Sequence, residues 1–501
     1  MRRKVSSGRI SISVAILAAL PMIAAVSAQA GTTYYWDPTG SKTTTGGGNG
    51  TWDTTSANWY NGASDVAWVN GSSSYANFVA NSTTLTYAVT MAFGADITAG
   101  SLTFTPTSDS YGFSIDAPTS TSQTASLNIG TLYVSTHGGT VTFGPNGGTS
   151  GTLIVTIGSV DNTGDGTAGI QVIGSNDTVN LTGSSNGSTT VDGGTLNVSQ
   201  AGGFGSSLVF RVGTINALTD MTSNVNMGEL AGGITFGGGQ TLEFTNSDAA
   251  PTDNNAPVST VADVLASTTV QWDGNENNND TSSQGATATL EKSGSGTLIL
   301  TGNYYSGGAT TVATGTLEVD GSFATNAYSK STSAFTVDSG ATLQGTGSIA
   351  GTTTVNSGGI LAPGTAMASA GHSTGTTLTL TGGATLDSGS VLDFTLGSTS
   401  DLINTSALTL NQNITINITQ GSGFGSGIYK LIGYTSLTDN SAGFSGWTIN
   451  GLSGLNYSLS NDTATNSIDL TVAPVPEPAA LSLLAIGGVG LLLVSRRRKM
   501  A

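Results

Sequence analysis

Between residues 31 and 473 apolar and polar positions alternate in short runs, and glycine interrupts nearly every run. The recurring unit is Gly-Thr-Leu or Gly-Ala-Thr-Leu followed by further alternation. Instances are Gly130-Thr131-Leu132-Tyr133-Val134, Gly151-Thr152-Leu153-Ile154-Val155, Gly194-Thr195-Leu196-Asn197-Val198, Gly296-Thr297-Leu298-Ile299-Leu300 and Gly315-Thr316-Leu317-Glu318-Val319. Gly340-Ala341-Thr342-Leu343 and Gly383-Ala384-Thr385-Leu386 continue the series. A period of two sends Leu and Val to one face of a strand and Thr and Ser to the other. Glycine supplies corners, where a positive φ is needed.

No convincing helix lies between the two ends of the chain, so the pattern predicts an all-β fold. Short strands about 20 residues apart, with no crossover helices, predict a parallel β-solenoid. One coil cannot bury its apolar face alone, so stacking makes the core. With about 20 residues per coil and about 4.8 Å per rung, the body would be a rod on the order of 100 Å long. Inward Val, Leu and Ile would fill it, and stacked Thr and Asn would form side-chain ladders. The alternative arrangement is a set of antiparallel β-sandwiches.

The two ends have a different pattern. A basic start (Arg2, Arg3, Lys4, Arg9) leads into an apolar run from Ile12 to Val26 that closes on Ser27-Ala28-Gln29-Ala30. This predicts a secretory signal peptide over 1–30, with Ala28 and Ala30 as the small residues of the cleavage site. A retained membrane anchor is the alternative. At the other end Val475-Pro476-Glu477-Pro478 precede an apolar run over 479–494, then Ser495, Arg496, Arg497, Arg498 and Lys499. The run is near the lower limit for a membrane-spanning helix, and the basic tail predicts a cytoplasmic end.

Charge narrows the functional classes. The chain has 13 Lys and Arg against 30 Asp and Glu, and eight of the bases sit at the ends just described. The few bases left in the body cannot neutralise many phosphates, which excludes nucleic acid as a partner. With no cysteine there are no disulfides, thiolate metal sites or cysteine nucleophiles.

The C-terminal triplet Pro476-Glu477-Pro478, the apolar segment and the basic cluster together resemble the PEP-CTERM sorting signal of bacterial exported proteins. That resemblance covers 474–501 and implies an exosortase-type sorting enzyme as partner, transient anchoring in the inner membrane, and delivery to the cell surface or extracellular matrix. An ordinary tail anchor is the alternative. The segment from Gly294-Ser295-Gly296-Thr297-Leu298 through Gly302-Asn303-Tyr304-Tyr305-Ser306-Gly307-Gly308 to Gly315-Thr316-Leu317-Glu318-Val319 resembles the autotransporter-associated β-strand repeat. Val355-Asn356-Ser357-Gly358-Gly359-Ile360-Leu361-Ala362-Pro363-Gly364 resembles it more loosely. This implies a right-handed parallel β-helix, the stalk of a passenger protein, over 290–473. No translocator barrel follows, so autotransport is not the export route expected.

Residues 31–95 differ again, holding Trp36, Trp52, Trp59 and Trp68 among several tyrosines. Tyr35-Trp36-Asp37-Pro38 and Gly50-Thr51-Trp52-Asp53 resemble the start of exported proteins of the same repeat class. An end coil exposes an open core and needs a lid, and aromatics bury large areas. The reading is an N-terminal cap, with further solenoid over 96–289. The other use of such rings is a platform on which extracellular polysaccharide stacks, with Trp52 and Trp59 as glycan contacts.

Little else suggests chemistry. His137 and His372 lie singly in turns, and no lysine follows a glycine, which removes a P-loop. A β-helical lyase wants a base, and the body offers one arginine, Arg211. A glycosidase wants paired carboxylates, and Asp387 and Asp393 are the nearest in sequence. No catalytic residue is assigned. Asp161, Thr163 and Asp165 alternate before a turn glycine as in calcium loops, although position twelve is Val172 rather than Glu. They are the calcium-ligand candidates, and solvated turn residues are the alternative. No other cofactor is expected. The chain reads as a structural or adhesive surface protein, with an extracellular carbohydrate-active enzyme or a glycan-binding adhesin as the competing readings.

Overall fold

The computed structural model describes residues 31–44, 47–79, 86–105, 112–134, 140–144, 151–162, 169–223, 226–230, 232–244, 260–272, 276–277, 289–305, 308–324, 334–364 and 377–473. The signal-peptide and sorting segments, with Ala28, Ala30, Val475, Pro476, Glu477, Pro478 and Arg496 to Arg498, lie outside the described residues. So do His137 and His372. Among the described residues no helix is long and apolar enough to cross a membrane.

The described chain is β-strand throughout, apart from turns and one 3-10 turn at Ala201–Phe204. One coil shows the plan. Leu290–Ser293, Thr297–Leu300 and Asn303–Tyr305 form its three sides, and Thr310–Val312, Thr316–Val319 and Ser322–Ala324 form those of the next. Each strand pairs in parallel with its counterpart one coil on, so that Leu298 faces Leu317 and Tyr304 faces Phe323. The result is a three-sided parallel β-solenoid.

One parallel ladder runs the length of the described solenoid. It begins with Thr32–Trp36, Gly71–Val79 and Asp96–Thr105 and ends at Gly427–Asp439. Pairing is continuous through seventeen strands; it starts on the side beyond the bend at Gly100, where 32–35 and 75–79 stack on 101–105, and passes through the bent strands to the side of 96–99, which it follows to the end. At about 4.8 Å per rung this ladder is roughly 80 Å long. A second side is a ten-stranded parallel sheet from Met221–Ser223 to Thr448–Asn450. Among the described strands antiparallel ladders occur only at the two ends, with one isolated antiparallel bridge between Gly345 and Gly364, so the body is not a set of sandwiches.

The regular spacing of about 20 residues does not hold. A coil takes 17 residues from Val179 to Leu196 and 33 from Ile416 to Ile449. The physical reason is that copies of the Gly-Thr-Leu unit sit on different sides. Thr131 stacks on Ser159, while Thr152 stacks on Thr124, so the interval between those copies is not a turn of the solenoid. Within one side two adjacent columns behave as the alternation predicts, although the next column, Gln271, Ile299 and Glu318, is buried as well. Thr297, Thr316 and Thr342 form an outward column, and Leu298, Leu317 and Leu343 an inward one with no exposure.

The N-terminal end is closed by rings. Trp36, Trp52, Trp59, Trp68 and Phe78 are all buried, with centroids of adjacent rings 4.8–5.7 Å apart. Trp59–Tyr60 pairs antiparallel with the outer edge of Thr32–Trp36 and covers it. At the C-terminal end Gly427–Asp439, Ser467–Ala473 and Asn456–Asp462 form an antiparallel extension that leaves Ile428 72% exposed.

Candidate functional site

The longest regular polar surface follows the continuous ladder in the C-terminal coils. Thr311, Thr336, Thr354, Thr385, Thr409 and Thr438 stack in register as one outward column. Their inward neighbours Val312, Val337, Val355, Leu386 and Leu410 are wholly buried or nearly so, which fixes which way the hydroxyls point. Two residues beyond Thr336, Thr354, Thr385, Thr409 and Thr438 come Asp338, Asn356, Asp387, Asn411 and Asn440, at the corner leading to the next side, whereas Thr311 is followed there by Ala313.

Local sequence explains the corner. Asp338-Ser339-Gly340, Asn356-Ser357-Gly358 and Asp387-Ser388-Gly389 are turn sequences. Each is closed by a backbone bond three residues on: Ala341 N–H to Asp338 O at 3.0 Å, Gly359 N–H to Asn356 O at 2.8 Å, and Ser390 N–H to Asp387 O at 3.0 Å. The third residue is left-handed, with φ of +80° at Gly340, and Asn413 takes the same place in the later coil at φ +59°. The corner side chains then bond along the axis. The Nδ2 of Asn356 donates to Asp338 Oδ1 at 2.9 Å, that of Asn411 to Asp387 Oδ1 at 3.4 Å, and that of Asn440 to Asn411 Oδ1 at 3.3 Å.

A shallow open groove of about 650 Å³ runs along this corner, lined by Asn356, Ser357, Asp387, Ser388, Asn411, Gln412 and Asn440. Its lining is hydroxyl and amide with one carboxylate, Asp387. Asp393 lies on the next side, where it accepts a 2.7 Å bond from Asn417 Nδ2, so these two acids do not converge on one groove. The arrangement offers repeated donors and acceptors to a polyhydroxylated ligand, not the facing acid pair of a glycosidase.

The other predicted site residues are placed as follows. Trp52 and Trp59 have no exposed surface, which corrects their expected role as glycan contacts: neither ring has a free face, because both pack inside the N-terminal aromatic cluster. Asp161 sits at the end of Thr152–Asn162 and accepts a 3.2 Å bond from Asn186 Nδ2. Thr163 and Asp165 lie outside the described residues. Arg211 forms an exposed ion pair with Asp192 at 3.5 Å.

Several buried charged groups were not anticipated, Lys292 and Asp177 among them. Lys292 occupies an inward position between Ala262 and Val312 and is fully buried. Its Nζ reaches the corner and donates to Ser293 O at 2.6 Å, Gly294 O at 2.8 Å and Thr314 O at 3.2 Å. Burial lowers its pKa to about 8, against the opposing pull of Asp263. Asp177, 1% exposed, accepts a 2.7 Å bond from Leu153 N–H. A lone Lys at an alternating apolar position was the available signal for the first. Nothing in the sequence separates Asp177 from an ordinary turn aspartate.

Two comparisons bear on this architecture. The passenger-associated transport repeat family matches residues 290–319, the coil that carries Lys292 and the one after it. These coils are therefore similar to passenger-type repeats. The chain is also 34% identical over 182 residues to the adhesin BmaC autotransporter of Brucella suis biovar 1 (strain 1330). That similarity covers 34% of this chain and only 5% of the relative.

Proposed function

We propose that this chain is an exported, non-enzymatic adhesive β-solenoid of the cell surface or extracellular matrix. In this reading the helix is right-handed, as parallel crossovers nearly always are. The N-terminal leader directs export. The segment around Val475, Pro476, Glu477 and Pro478 is the handle for an exosortase-type enzyme, with transient anchoring in the inner membrane. The similarity to an adhesin and to passenger repeats supports surface display, and the tripartite C-terminal pattern supports the sorting route.

The observation that carries the adhesive reading is the unbroken column of threonines beside the Asp and Asn corner. Polysaccharide is the ligand class that such a surface suits, since hydroxyl and amide groups at every rung pair with sugar hydroxyls. The body's excess of acids favours neutral polysaccharide over uronic-acid polymers, which it would repel. The test is retention of the full chain on beads coated with a neutral glucan or with alginate. The wild type should bind the glucan, and the double variant Thr385→Val/Thr409→Val should lose most of that retention. Equal retention of both proteins would remove the threonine column as the binding surface.

A further inference from the structure

A second outward row runs along the wall of the N-terminal coils, beyond the bend at Gly100 and away from the groove. Asp65–Val66 pairs with Trp59–Tyr60, which pairs in turn with Thr32–Trp36. Through these pairings and the parallel ladder, Asp65, Tyr60, Tyr35, Asn77, Thr103, Tyr133 and Asp161 stand side by side on successive strands. Their chain neighbours Trp59, Trp36, Phe78, Phe104 and Val134 are buried, so alternation turns the row outward. The pairing that shuts Trp36 and Trp59 inside the cap is the one that sets Tyr35 beside Tyr60 on its surface.

The polar groups of this row are unpartnered. On the neighbouring side stacked amides bond to one another: Asn197 Nδ2 donates to Asn180 Oδ1 at 2.7 Å, and Asn216 Nδ2 to Asn197 Oδ1 at 2.9 Å. Among the described residues the phenols of Tyr60, Tyr35 and Tyr133, the amide of Asn77 and the hydroxyl of Thr103 have no hydrogen-bond partner. Tyr60, Tyr35, Asn77 and Thr103 are half-buried, and Tyr133 is 36% exposed. These five carry no charge, and a carboxylate, Asp65 or Asp161, flanks them at each end.

We propose that the row from Tyr60 to Tyr133 binds a neutral, extended, β-linked glycan chain lying along the solenoid axis. A pyranose ring has apolar C–H faces and a polar rim, and tyrosine matches it with an apolar ring and a polar tip. Tyr60 and Tyr35 are one rung apart, about 5 Å, and Tyr35 and Tyr133 three rungs, roughly 14 Å. A β-linked chain advances one sugar over roughly the height of one rung. Sugars can therefore stack at both ends of the row while Asn77 and Thr103 pair with the hydroxyls between. The flanking acids repel uronic-acid chains and leave neutral ones. The ligand class rests on the polysaccharide reading, but this surface is a second one, on another side of the solenoid from the threonine column. A polymer that reaches both is held by avidity, so loss of either lowers its retention strongly.

The experiment is calorimetric titration of the full chain with cellohexaose, a soluble neutral β-glucan, together with the unfolding midpoint of each variant. The wild type should bind it at two sites, one in the row and one at the threonine column. Tyr35→Thr and Tyr133→Thr each put a short strand-forming side chain in the row. Each should weaken one site at least roughly fivefold and leave the other. Tyr133→Thr should do so with an unchanged midpoint, whereas a merely structural tyrosine would lower the midpoint and spare the affinity. It decides the matter should Tyr35→Thr fail to fold. Thr385→Val/Thr409→Val should weaken the other site alone. A single site, lost with the tyrosines and kept in the threonine variant, sustains the row and removes the column. The proposal is overturned if the wild type binds no cellohexaose, or if both tyrosine variants bind it as the wild type does; the threonine column is then judged by its own variant.

Discussion

The coils over 96–162 and those over 334–440 turn the same corner of the solenoid in two ways. In the first region the strand runs straight through. Asp96–Thr105, Thr124–Val134 and Thr152–Asn162 each bend at a glycine without losing their pairing. Gly100, Gly130 and Gly158 stack there so tightly that a Cβ would come within 2.0 Å of Ser72 O, 2.4 Å of Gly100 O and 2.3 Å of Gly130 O respectively. In the second region the strand stops, an Asp or Asn turn intervenes, and side chains project. The first corner is backbone against backbone and presents nothing to a ligand. The second breaks the ladder and yields the groove. A groove arises in this fold where the corner is built from side chains.

The largest effect should come from forcing a side chain into the glycine corner. Gly158→Val would place a branched carbon against the carbonyl of Gly130, which is backbone and cannot swing aside. The cost should exceed about 3 kcal/mol, at the upper end of overpacking effects. At the turn corner, Gly358→Ala meets only the movable Ser339 hydroxyl. Its cost is that of a left-handed alanine, about 1 kcal/mol. Chemical denaturation of the two variants measures the gap, and equal losses would show that the two corners are alike.

The sequence reveals this contrast unevenly. Alternation and glycine punctuation declare strands, inward Leu and outward Thr, because each is local. The turn corner is also readable afterwards, as Thr336-Val337-Asp338-Ser339-Gly340, Thr354-Val355-Asn356-Ser357-Gly358 and Thr385-Leu386-Asp387-Ser388-Gly389 share one pattern. What alternation cannot give is which rung stacks on which. Gly130 and Gly158 look like any other glycines until pairing sets one above the other, and coil length varies because corners absorb different numbers of residues. Tryptophan burial, Asp177 and Lys292 depend on the same long-range register. The tryptophans read as a lid, but the platform alternative at Trp52 and Trp59 stays open until the first coil is closed over them.

Lys292 tests a third kind of corner, one held from inside the core. Its folded pKa, about 8, lies below the ordinary value of 10.5. Below pH 8 the ammonium is charged in both folded and unfolded chains, and its burial costs stability. Between pH 8 and 10.5 the folded chain releases the proton first, so this penalty fades as pH rises. The gain is at most about 3 kcal/mol by linkage, and it is smaller to the extent that the three carbonyls favour the ammonium. Unfolding midpoints from pH 7 to 10.5 should therefore climb in the wild type relative to Lys292→Met. Parallel profiles would mean that the three carbonyl bonds fully offset the burial.

The smallest stability effect belongs to the threonine column proposed to bind polysaccharide. Thr385 and Thr409 are half-buried, stacked in register, and flanked by inward Leu386 and Leu410. Valine keeps their shape, their χ1 preference and their strand propensity. Thr385→Val should thus move the unfolding free energy by less than about 0.5 kcal/mol, as ordinary surface substitutions do. A loss above about 1 kcal/mol would mean that the hydroxyl column supports the fold rather than the ligand. In that event weakened polysaccharide retention would follow from damage to the coil. A near-neutral midpoint together with lost retention keeps the two apart, because it removes the donor and leaves the rung in place.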